Sequence, residues 1–146
     1  MRNTHFSESS VRVGLSVYGY NELPCVFDNI ILKPVLALYA TKISTRILQQ
    51  GQRIGYGGDF IVKETMSVST YDIGYGDGLH RYQEIPFITA TGLAILGRIS
   101  MDFISLASNQ ETVCIIDNAQ EVAKQWNTIS YEVLTSLHPD IPRRII

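Results

Sequence analysis

The fold of this chain is decided by one stretch in its first third, Lys33-Pro34-Val35-Leu36-Ala37-Leu38-Tyr39-Ala40-Thr41-Lys42-Ile43-Ser44-Thr45-Arg46-Ile47-Leu48. Proline opens the stretch, and apolar residues then stand among threonine, serine and tyrosine without strict alternation. β-branched and aromatic residues favour a pleated, half-buried strand, and a break in the alternation is typical of a bulge. The stretch therefore predicts one long strand, or two strands joined by a bulge.

Shorter strands are predicted on both sides of this stretch. Val11, Val13 and Leu15 alternate with Arg12 and Gly14 and predict a short strand before it. A turn at residues 49–52 follows it, and runs rich in valine, threonine and isoleucine then predict strands at residues 60–73, 87–91, 94–99, 103–106 and 113–116. Helical patterns occur at residues 118–125 and 130–137, the second with Ser130 as its N-cap. The chain is therefore expected to be mainly β: an antiparallel β-domain or small β-barrel with one or two short helices.

Length and composition limit the class of protein. The 146 residues, 45% hydrophobic and 18% charged, suffice for one buried core. A net charge of −2, with 12 lysines and arginines spread along the chain, gives no basic field for nucleic acid. No long apolar run or leader suggests a membrane or export, so the cytoplasm is the expected compartment. Cysteine and histidine spacing predicts two reduced thiols, Cys25 and Cys114, and no metal site.

Five motifs stand in order along the chain: Val11-Arg12-Val13-Gly14-Leu15, Gln52-Arg53-Ile54-Gly55-Tyr56-Gly57, Gly74-Tyr75-Gly76-Asp77-Gly78, Gly97-Arg98-Ile99-Ser100-Met101-Asp102 and Asn127-Thr128-Ile129-Ser130-Tyr131-Glu132. In this order they resemble the C-terminal part of the fold-type III alanine racemases, which use pyridoxal phosphate. The resemblance covers nearly the whole chain. It implies that residues 1–20 are the remnant of the last strand and phosphate loop of a (β/α)8 barrel, and that residues 21–146 form the C-terminal β-domain.

The resemblance implies that Tyr56 is a catalytic acid–base group. The family interconverts L-alanine and D-alanine, a peptidoglycan precursor, through a pyridoxal phosphate aldimine that serves as an electron sink. A lysine and a tyrosine, matched here by Tyr56, serve opposite faces of the stereocentre. A tyrosine ordinarily has a pKa of ~10, so cationic or hydrogen-bonding neighbours must stabilise its phenolate. Residue type alone favours a strand tyrosine packed on the domain surface, but Gly55 and Gly57 favour an exposed turn at a ligand.

Cofactor contacts are implied at four positions. Arg12 matches an arginine that faces the pyridine nitrogen, and a guanidinium cannot surrender its proton, so that nitrogen would stay unprotonated. The backbone amides of Gly14 and Leu15 match amides that bind the cofactor phosphate. Tyr131 matches a tyrosine that contacts the same phosphate. Without the resemblance, Arg12 would equally be a surface arginine on an edge strand.

Substrate contacts are implied by the remaining motifs. Met101 matches a position whose backbone amide binds the substrate carboxylate, while its side chain is free to pack in the core. Positive charge in an access corridor would attract an amino-acid carboxylate. The corridor positions are matched by Tyr75, Arg81, Arg98 and Ile129. An ion pair of either arginine with Asp77 or Asp102 is the structural alternative, and Asp77 itself is expected to be a turn residue between two glycines.

The cofactor lysine of the family has no match in this chain. It belongs to a preceding barrel of roughly 250 residues, and the context of the four lysines present does not resemble it: Lys33, Lys42, Lys63 and Lys124. The chain is therefore expected to be inactive alone, and to act as a homodimer or with a barrel-bearing partner chain, Tyr56 completing the opposite active site. Two alternatives remain open: a stand-alone, non-catalytic β-barrel that binds a partner or small ligand, and a racemase for another small amino acid such as serine.

Overall fold

The computed structural model describes residues 13–21, 31–81 and 85–145. The chain divides into two compact units, Met1–Val35 and Leu36–Ile146. Arg12 and Cys25 lie outside the described residues, so the predicted contact of Arg12 with a cofactor stays a prediction. The predicted division into a barrel remnant of residues 1–20 and a β-domain of residues 21–146 also stays a prediction.

The first unit contains a short 3-10 helix, Leu15–Tyr18, where a strand was expected. The strand prediction is therefore wrong at Leu15, because the chain turns there: the Val17 amide donates to the Gly14 carbonyl at 3.1 Å. Gly19 ends the helix with a φ of 86°. A β-carbon at Gly19 would lie 1.7 Å from the Lys33 carbonyl oxygen, so only glycine permits this close approach.

The second unit is built on antiparallel strands: β1 Leu38–Leu48, β2 Arg53–Ile54, β3 Phe60–Ile61, β4 Met66–Tyr71, β5 Ile104–Leu106 and β6 Thr112–Ile116. Four of them form one sheet in the order β5-β4-β1-β6, and β2 pairs with β3 in a separate small ribbon. The sheet curls into a half-barrel accompanied by two helices. The prediction of a mainly β, antiparallel domain is thus confirmed.

Strand β1 joins the two halves of the sheet. Its register with β4 shifts between Lys42 and Ser44, which confirms the predicted bulge. Residues Leu38 to Thr41 pair with β6, from Leu38 opposite Ile116, and residues from Lys42 onward pair with β4, ending with Leu48 opposite Met66. The strand begins at Leu38 rather than at the predicted residue 33.

Several predicted strands are shorter in the structure. The run 60–73 is divided into β3 and β4. Val62 still bonds toward the β2 side, because its amide donates to the Gln52 carbonyl and its own carbonyl accepts from the Gly51 amide, and the strand in the main sheet begins only at Met66. The runs 87–91 and 94–99 contribute isolated bridges instead of strands, at Ile88 with Ala94 and at Ile95 with Leu106. The predicted turn at residues 49–52 is present, with the Gln52 amide donating to the Gln49 carbonyl.

The helices lie close to their predicted positions, as α1 Ala119–Trp126 and α2 Ser130–Ser136. Asn118 caps α1, since its side-chain oxygen accepts from the amides of Gln120 and Glu121. The N-cap predicted at Ser130 is wrong: Ile129 holds the extended backbone of the cap position, and Ser130 is already helical. None of the helices in the described part of the chain is long and apolar enough to cross a membrane.

A hydrophobic cluster supports the β2–β3 ribbon. Phe60 and Met66 pack against this cluster, whose buried members come from the ribbon, the sheet and the segment before Gly97: Leu48, Ile54, Val62, Val68 and Leu96. Burial of each such side chain contributes about 1.5–3 kcal/mol. The connection between β2 and β3 therefore projects from a well-packed base.

Candidate functional site

Tyr56 lies in the loop between β2 and β3. The strand-like run at residues 52–57 is paired only at Arg53 and Ile54, after which Gly55, Gly57 and Gly58 take φ values of 84°, 92° and 68°. These left-handed conformations turn the chain back sharply, so the Tyr56 side chain is 68% exposed. The glycines thus produce the exposed turn that the sequence predicts, and the ring is free to meet a ligand.

The segment that carries Arg98 lies directly against this loop. A β-carbon on Gly55 would be 2.5 Å from the Arg98 amide nitrogen, and a β-carbon on Gly97 would be 2.4 Å from the Ile54 carbonyl oxygen. The Tyr56 amide faces the Arg98 carbonyl at 3.5 Å. Two backbones therefore touch where glycine leaves room, and their contact brings Arg98 beside the tyrosine loop.

A third loop, residues 74–78, contains the single-turn 3-10 helix Tyr75–Asp77 and packs on the same segment. The Tyr75 amide donates to the Ser100 carbonyl at 3.0 Å, and the Gly76 amide donates to the Met101 carbonyl at 2.8 Å. The Asp77 carboxylate accepts from the Gly74 amide at 2.8 Å, as a turn residue does. The expectation that Asp77 is a turn residue is therefore confirmed. Main-chain bonds thus fix Tyr75 and Met101 relative to each other.

Arg81 joins the two tyrosine loops. Its guanidinium carbon lies 5.9 Å from the centre of the Tyr56 ring and 5.6 Å from the centre of the Tyr75 ring. Both distances fall within the ~6 Å range in which a cation is attracted to an aromatic face. One cation therefore contacts two exposed tyrosines that are distant in sequence.

Arg98 forms an ion pair whose partner the sequence did not reveal. Its Nη2 lies 2.8 Å from Oδ2 of Asp59, and the two side chains are 40% and 47% exposed. The alternative pairing of Arg98 with Asp77 or Asp102 is wrong, because the carboxylate that pairs with the Arg98 guanidinium is that of Asp59, at the end of the Tyr56 loop. The local signal was a carboxylate three residues beyond Tyr56 on a glycine-rich turn, but its partner is remote in sequence.

Met101 presents its backbone at the edge of this assembly. Its carbonyl is engaged by Gly76, its side chain is 57% exposed, and its amide donates to no residue in the described ranges. An amide with no internal acceptor, on a segment fixed by neighbouring hydrogen bonds, is suited to bind a carboxylate oxygen. The exposed side chain shows that core packing, the other role considered for Met101, is not its role.

An open cleft of about 220 Å³ adjoins the Tyr56 loop, whose Asp59 is one of its lining residues. Charged side chains from Asp59, Arg81 and Arg98 line it together with His80, and its other walls are largely apolar. His80 stacks on Trp126 with ring centres 4.1 Å apart. The cleft thus combines fixed charge with apolar surface, a composition typical of small-molecule sites.

Ile129 and Tyr131 lie at the start of α2 and are exposed. Neither makes a hydrogen bond or ring contact with the loops of Tyr56 and Tyr75 among the described residues. The opposite end of α2 does contact the loop at residues 74–78, because the Ser136 hydroxyl donates to the Gly78 carbonyl at 3.2 Å. Just beyond the helix, the His138 amide donates to the Asp77 carbonyl at 3.1 Å. The predicted roles of Ile129 and Tyr131 stay predictions.

In the first unit, Gly14 is the N-cap of the 3-10 helix and Leu15 is its first residue. Neither amide donates to another residue in the described part of the chain. Unsatisfied amides at such a turn suit an anion such as a phosphate group.

Of the four lysines, Lys42 forms an ion pair with Glu111 at 2.6 Å, and Lys124 forms an ion pair with Glu121 at 2.7 Å.

Comparisons with known proteins agree on one family. The family described as "Alanine racemase, C-terminal domain" matches residues 35–145. The alanine racemase of Campylobacter concisus is 42% identical over 146 residues, which are 99% of this chain and 42% of that protein. The chain thus spans well under half of that curated relative.

Two solved structures illustrate the likeness of fold. An alanine racemase of Clostridium difficile superposes with a TM-score of 0.83 at 28% identity, over 93% of this chain and 40% of that one. An alanine racemase of Bartonella henselae with covalently bound pyridoxal phosphate gives a TM-score of 0.68 at 29% identity, over 79% and 36% of the two chains.

Proposed function

Since this chain belongs to the alanine racemase family, in which it matches the C-terminal domain, we propose that it supplies the tyrosine side of an active site that interconverts L-alanine and D-alanine. The observation that carries the proposal is the exposed Tyr56 ring, held on a glycine loop with the Arg81 guanidinium over its face. A racemase needs a proton donor and acceptor on each face of the stereocentre. Tyr56 is proposed to serve one of these faces.

The surroundings of Tyr56 favour this role over simple packing. A tyrosine that acts as a base needs its anionic form stabilised, and a nearby guanidinium provides positive charge without competing for the proton. The Tyr56 ring contacts that cation, whereas a packed surface tyrosine would be covered by neighbouring side chains. Tyr56 would therefore accept the α-proton from one enantiomer and return a proton to the same face in the reverse direction.

Substrate orientation is proposed to come from Met101 and Arg81. The Met101 amide has no acceptor in the described chain and would donate to a substrate carboxylate. Arg81 lines the cleft beside the tyrosines and would attract that carboxylate on its approach. Tyr75, fixed to the Ser100–Met101 backbone, would border the site opposite Tyr56. Arg98 and Ile129 are further proposed corridor residues.

The family implies pyridoxal phosphate as the cofactor, and part of this chain fits it. The amides of Gly14 and Leu15, which donate to no residue that the structure describes, would hold its phosphate. Arg12 and Tyr131 are proposed contacts on the strength of the resemblance alone. When bound, the cofactor supplies an electron sink that makes the α-proton of an amino acid acidic. The lysine that would hold the cofactor covalently is proposed to come from a barrel outside these 146 residues.

A second polypeptide or domain is therefore part of the proposal. The chain corresponds to 42% of its Campylobacter concisus relative, so the remaining machinery lies in the part that it does not cover. We propose that the chain acts with a barrel-bearing partner or as a homodimer, with Tyr56 completing an active site whose lysine belongs to the other subunit. Cytoplasmic localisation is part of the same proposal.

The test of Tyr56 is hydrogen exchange measured separately for each enantiomer. In the protein assembled with its barrel, Tyr56→Phe removes one phenolic oxygen. Deuterium incorporation from solvent should persist for the enantiomer whose α-hydrogen faces the lysine and should cease for the other. Turnover should fall by ~10²–10⁴, the usual cost of losing a positioned acid–base group.

Tyr39→Phe is the matched control, because Tyr39 is also an exposed tyrosine but lies on β1. This variant should keep exchange from both enantiomers. If Tyr56→Phe also exchanges both enantiomers equally, the base is another group and Tyr56 is structural. A wild-type assembly that racemises serine but not alanine would instead support the alternative substrate.

A further inference from the structure

Asp59 has no role in the function proposed above, yet it holds one of the two arginines of the cleft. Its Oδ2 lies 2.8 Å from Nη2 of Arg98. Resting on that proposed function, we propose that Asp59 is a positioning residue that cancels the charge of Arg98 and so adapts the cleft to amino acids with a single carboxylate.

The geometry of the two loops makes the pairing persistent. Asp59 ends the Tyr56 loop and is followed at once by β3, whose Phe60 packs on the hydrophobic cluster. Arg98 follows Gly97, whose α-carbon approaches the Ile54 carbonyl so closely that no β-carbon fits. Arg98 therefore extends from a backbone in direct contact with the start of the Tyr56 loop, and Asp59 stands at the end of the same loop. The ion pair is set by the fold, which lowers the entropic cost that weakens most surface pairs.

The charges of the cleft show what the pair does. Among the described residues that line the cleft, Arg81 and Arg98 are cationic and Asp59 is anionic, with His80 taken as neutral. Two positive charges less one negative charge give these described residues a net charge of +1. Loss of the Asp59 charge would raise the net charge to +2. A second cation would attract a dicarboxylate more strongly than a monocarboxylate, because the attraction scales with the charge of the ligand.

Asp59 would consequently act as a specificity residue without touching the substrate. With Asp59 present, one unbalanced cation suffices for an amino acid that carries one carboxylate. Without it, amino acids with acidic side chains, and dicarboxylates generally, would compete for the cleft. The same carboxylate would also keep the guanidinium of Arg98 turned toward the Tyr56 loop.

The test measures binding of two probe anions, succinate and acetate, to the assembled protein by calorimetry at low ionic strength. For one added charge about 6 Å from the ligand in a water-like dielectric, Asp59→Asn should tighten succinate about tenfold and acetate about threefold. Both effects should shrink as salt approaches ~1 M, where the screening length is ~3 Å. Glu111→Gln, which breaks a surface ion pair with Lys42 and changes the net charge equally, should alter neither affinity.

The double variant D59N/R98Q distinguishes charge from packing. It restores a net charge of +1, so both affinities should return to wild-type values if charge is the cause. Equal changes for succinate and acetate, or no change in D59N, would overturn the proposal. Because binding is measured without turnover, the proposal is judged separately from racemisation: an inactive assembly that still shows the succinate effect would refute the proposed function while supporting the charge-cancelling role of Asp59.

Discussion

Replacement of Gly74 by alanine should destabilise the fold and displace the site more than the backbone conformation of Gly74 suggests. Gly74 has a φ of −149° and a ψ of −162°, an extended conformation that alanine adopts freely. The new β-carbon, however, would lie 2.1 Å from the Met101 carbonyl oxygen and 2.5 Å from that of Ser100. The loop must therefore move by about 1 Å to restore a normal contact distance.

That displacement sets the expected magnitude. It would break the bonds from the Tyr75 amide to Ser100 and from the Gly76 amide to Met101, each contributing ~0.5–1.5 kcal/mol. With residual strain, Gly74→Ala should lower the free energy of unfolding by about 2–3 kcal/mol. The same shift would displace Tyr75 and Met101 in the assembled enzyme, where an error of about 1 Å lowers turnover about 10²-fold.

The assay is urea denaturation followed by circular dichroism, with Gly51→Ala as the control. Gly51 has a φ of 85°, but no atom lies within 4 Å of the place that a β-carbon would take, so its alanine variant carries only the conformational cost of about 1–2 kcal/mol. The midpoint should fall further for Gly74→Ala, with an unchanged slope. If Gly51→Ala proves equally or more destabilising, the close approach of the two loops is not what requires glycine at position 74.

Two further predictions concern parts of the chain outside the site. Burial and the negative charge of Asp117 raise the pKa of the half-buried Cys114 thiol, while a hydrogen bond with Tyr39 lowers it. In a Cys25→Ser background the folded chain should therefore react more slowly with a disulfide reagent near neutral pH than the unfolded chain, and Asp117→Asn should speed the reaction. The Cys114 thiol ionises at lower pH in the unfolded chain than in the folded chain. The stability that the protonated thiol gives the folded state should therefore be lost as pH rises through the folded pKa. Asn118→Ala should cost about 1 kcal/mol in urea denaturation, because two amides at the start of α1 lose their acceptor, whereas Asn118→Asp should cost a few tenths at most.

Local sequence patterns predicted those elements whose causes are local. The bulged strand β1 follows from the distribution of β-branched residues around Lys42 and Ser44, and α1 follows from the Asn118 cap and the apolar positions beyond it. The turn role of Asp77 followed from its glycine neighbours. Ser130 was misassigned because serine is compatible with both the cap and the first turn, and only the backbone angle at Ile129 decides between them.

Local patterns did not predict the contacts that build the site. The ion pair of Asp59 with Arg98 and the approach of Arg81 to the Tyr56 ring join segments that are far apart in sequence. No periodicity encodes such contacts, because they depend on how the β2–β3 ribbon and the loop at residues 97–101 pack. The positions of the glycines are evident in the sequence. The backbone segments that approach Gly55, Gly74 and Gly97 are identified only by the distances in the structure.

The two partners of β1 also bear on the order in which the chain folds. Leu48 meets Met66 across the intervening β2–β3 ribbon, whereas Leu38 meets Ile116 only after most of the domain has been brought together. The entropy lost on closing a loop grows with its length, so the β1–β4 hairpin can nucleate early while β6 docks late. During synthesis the hairpin leaves the ribosome well before β6 does. Until β6 arrives, the first half of β1 is an unpaired edge, the segment of this domain most exposed to misassociation between nascent chains.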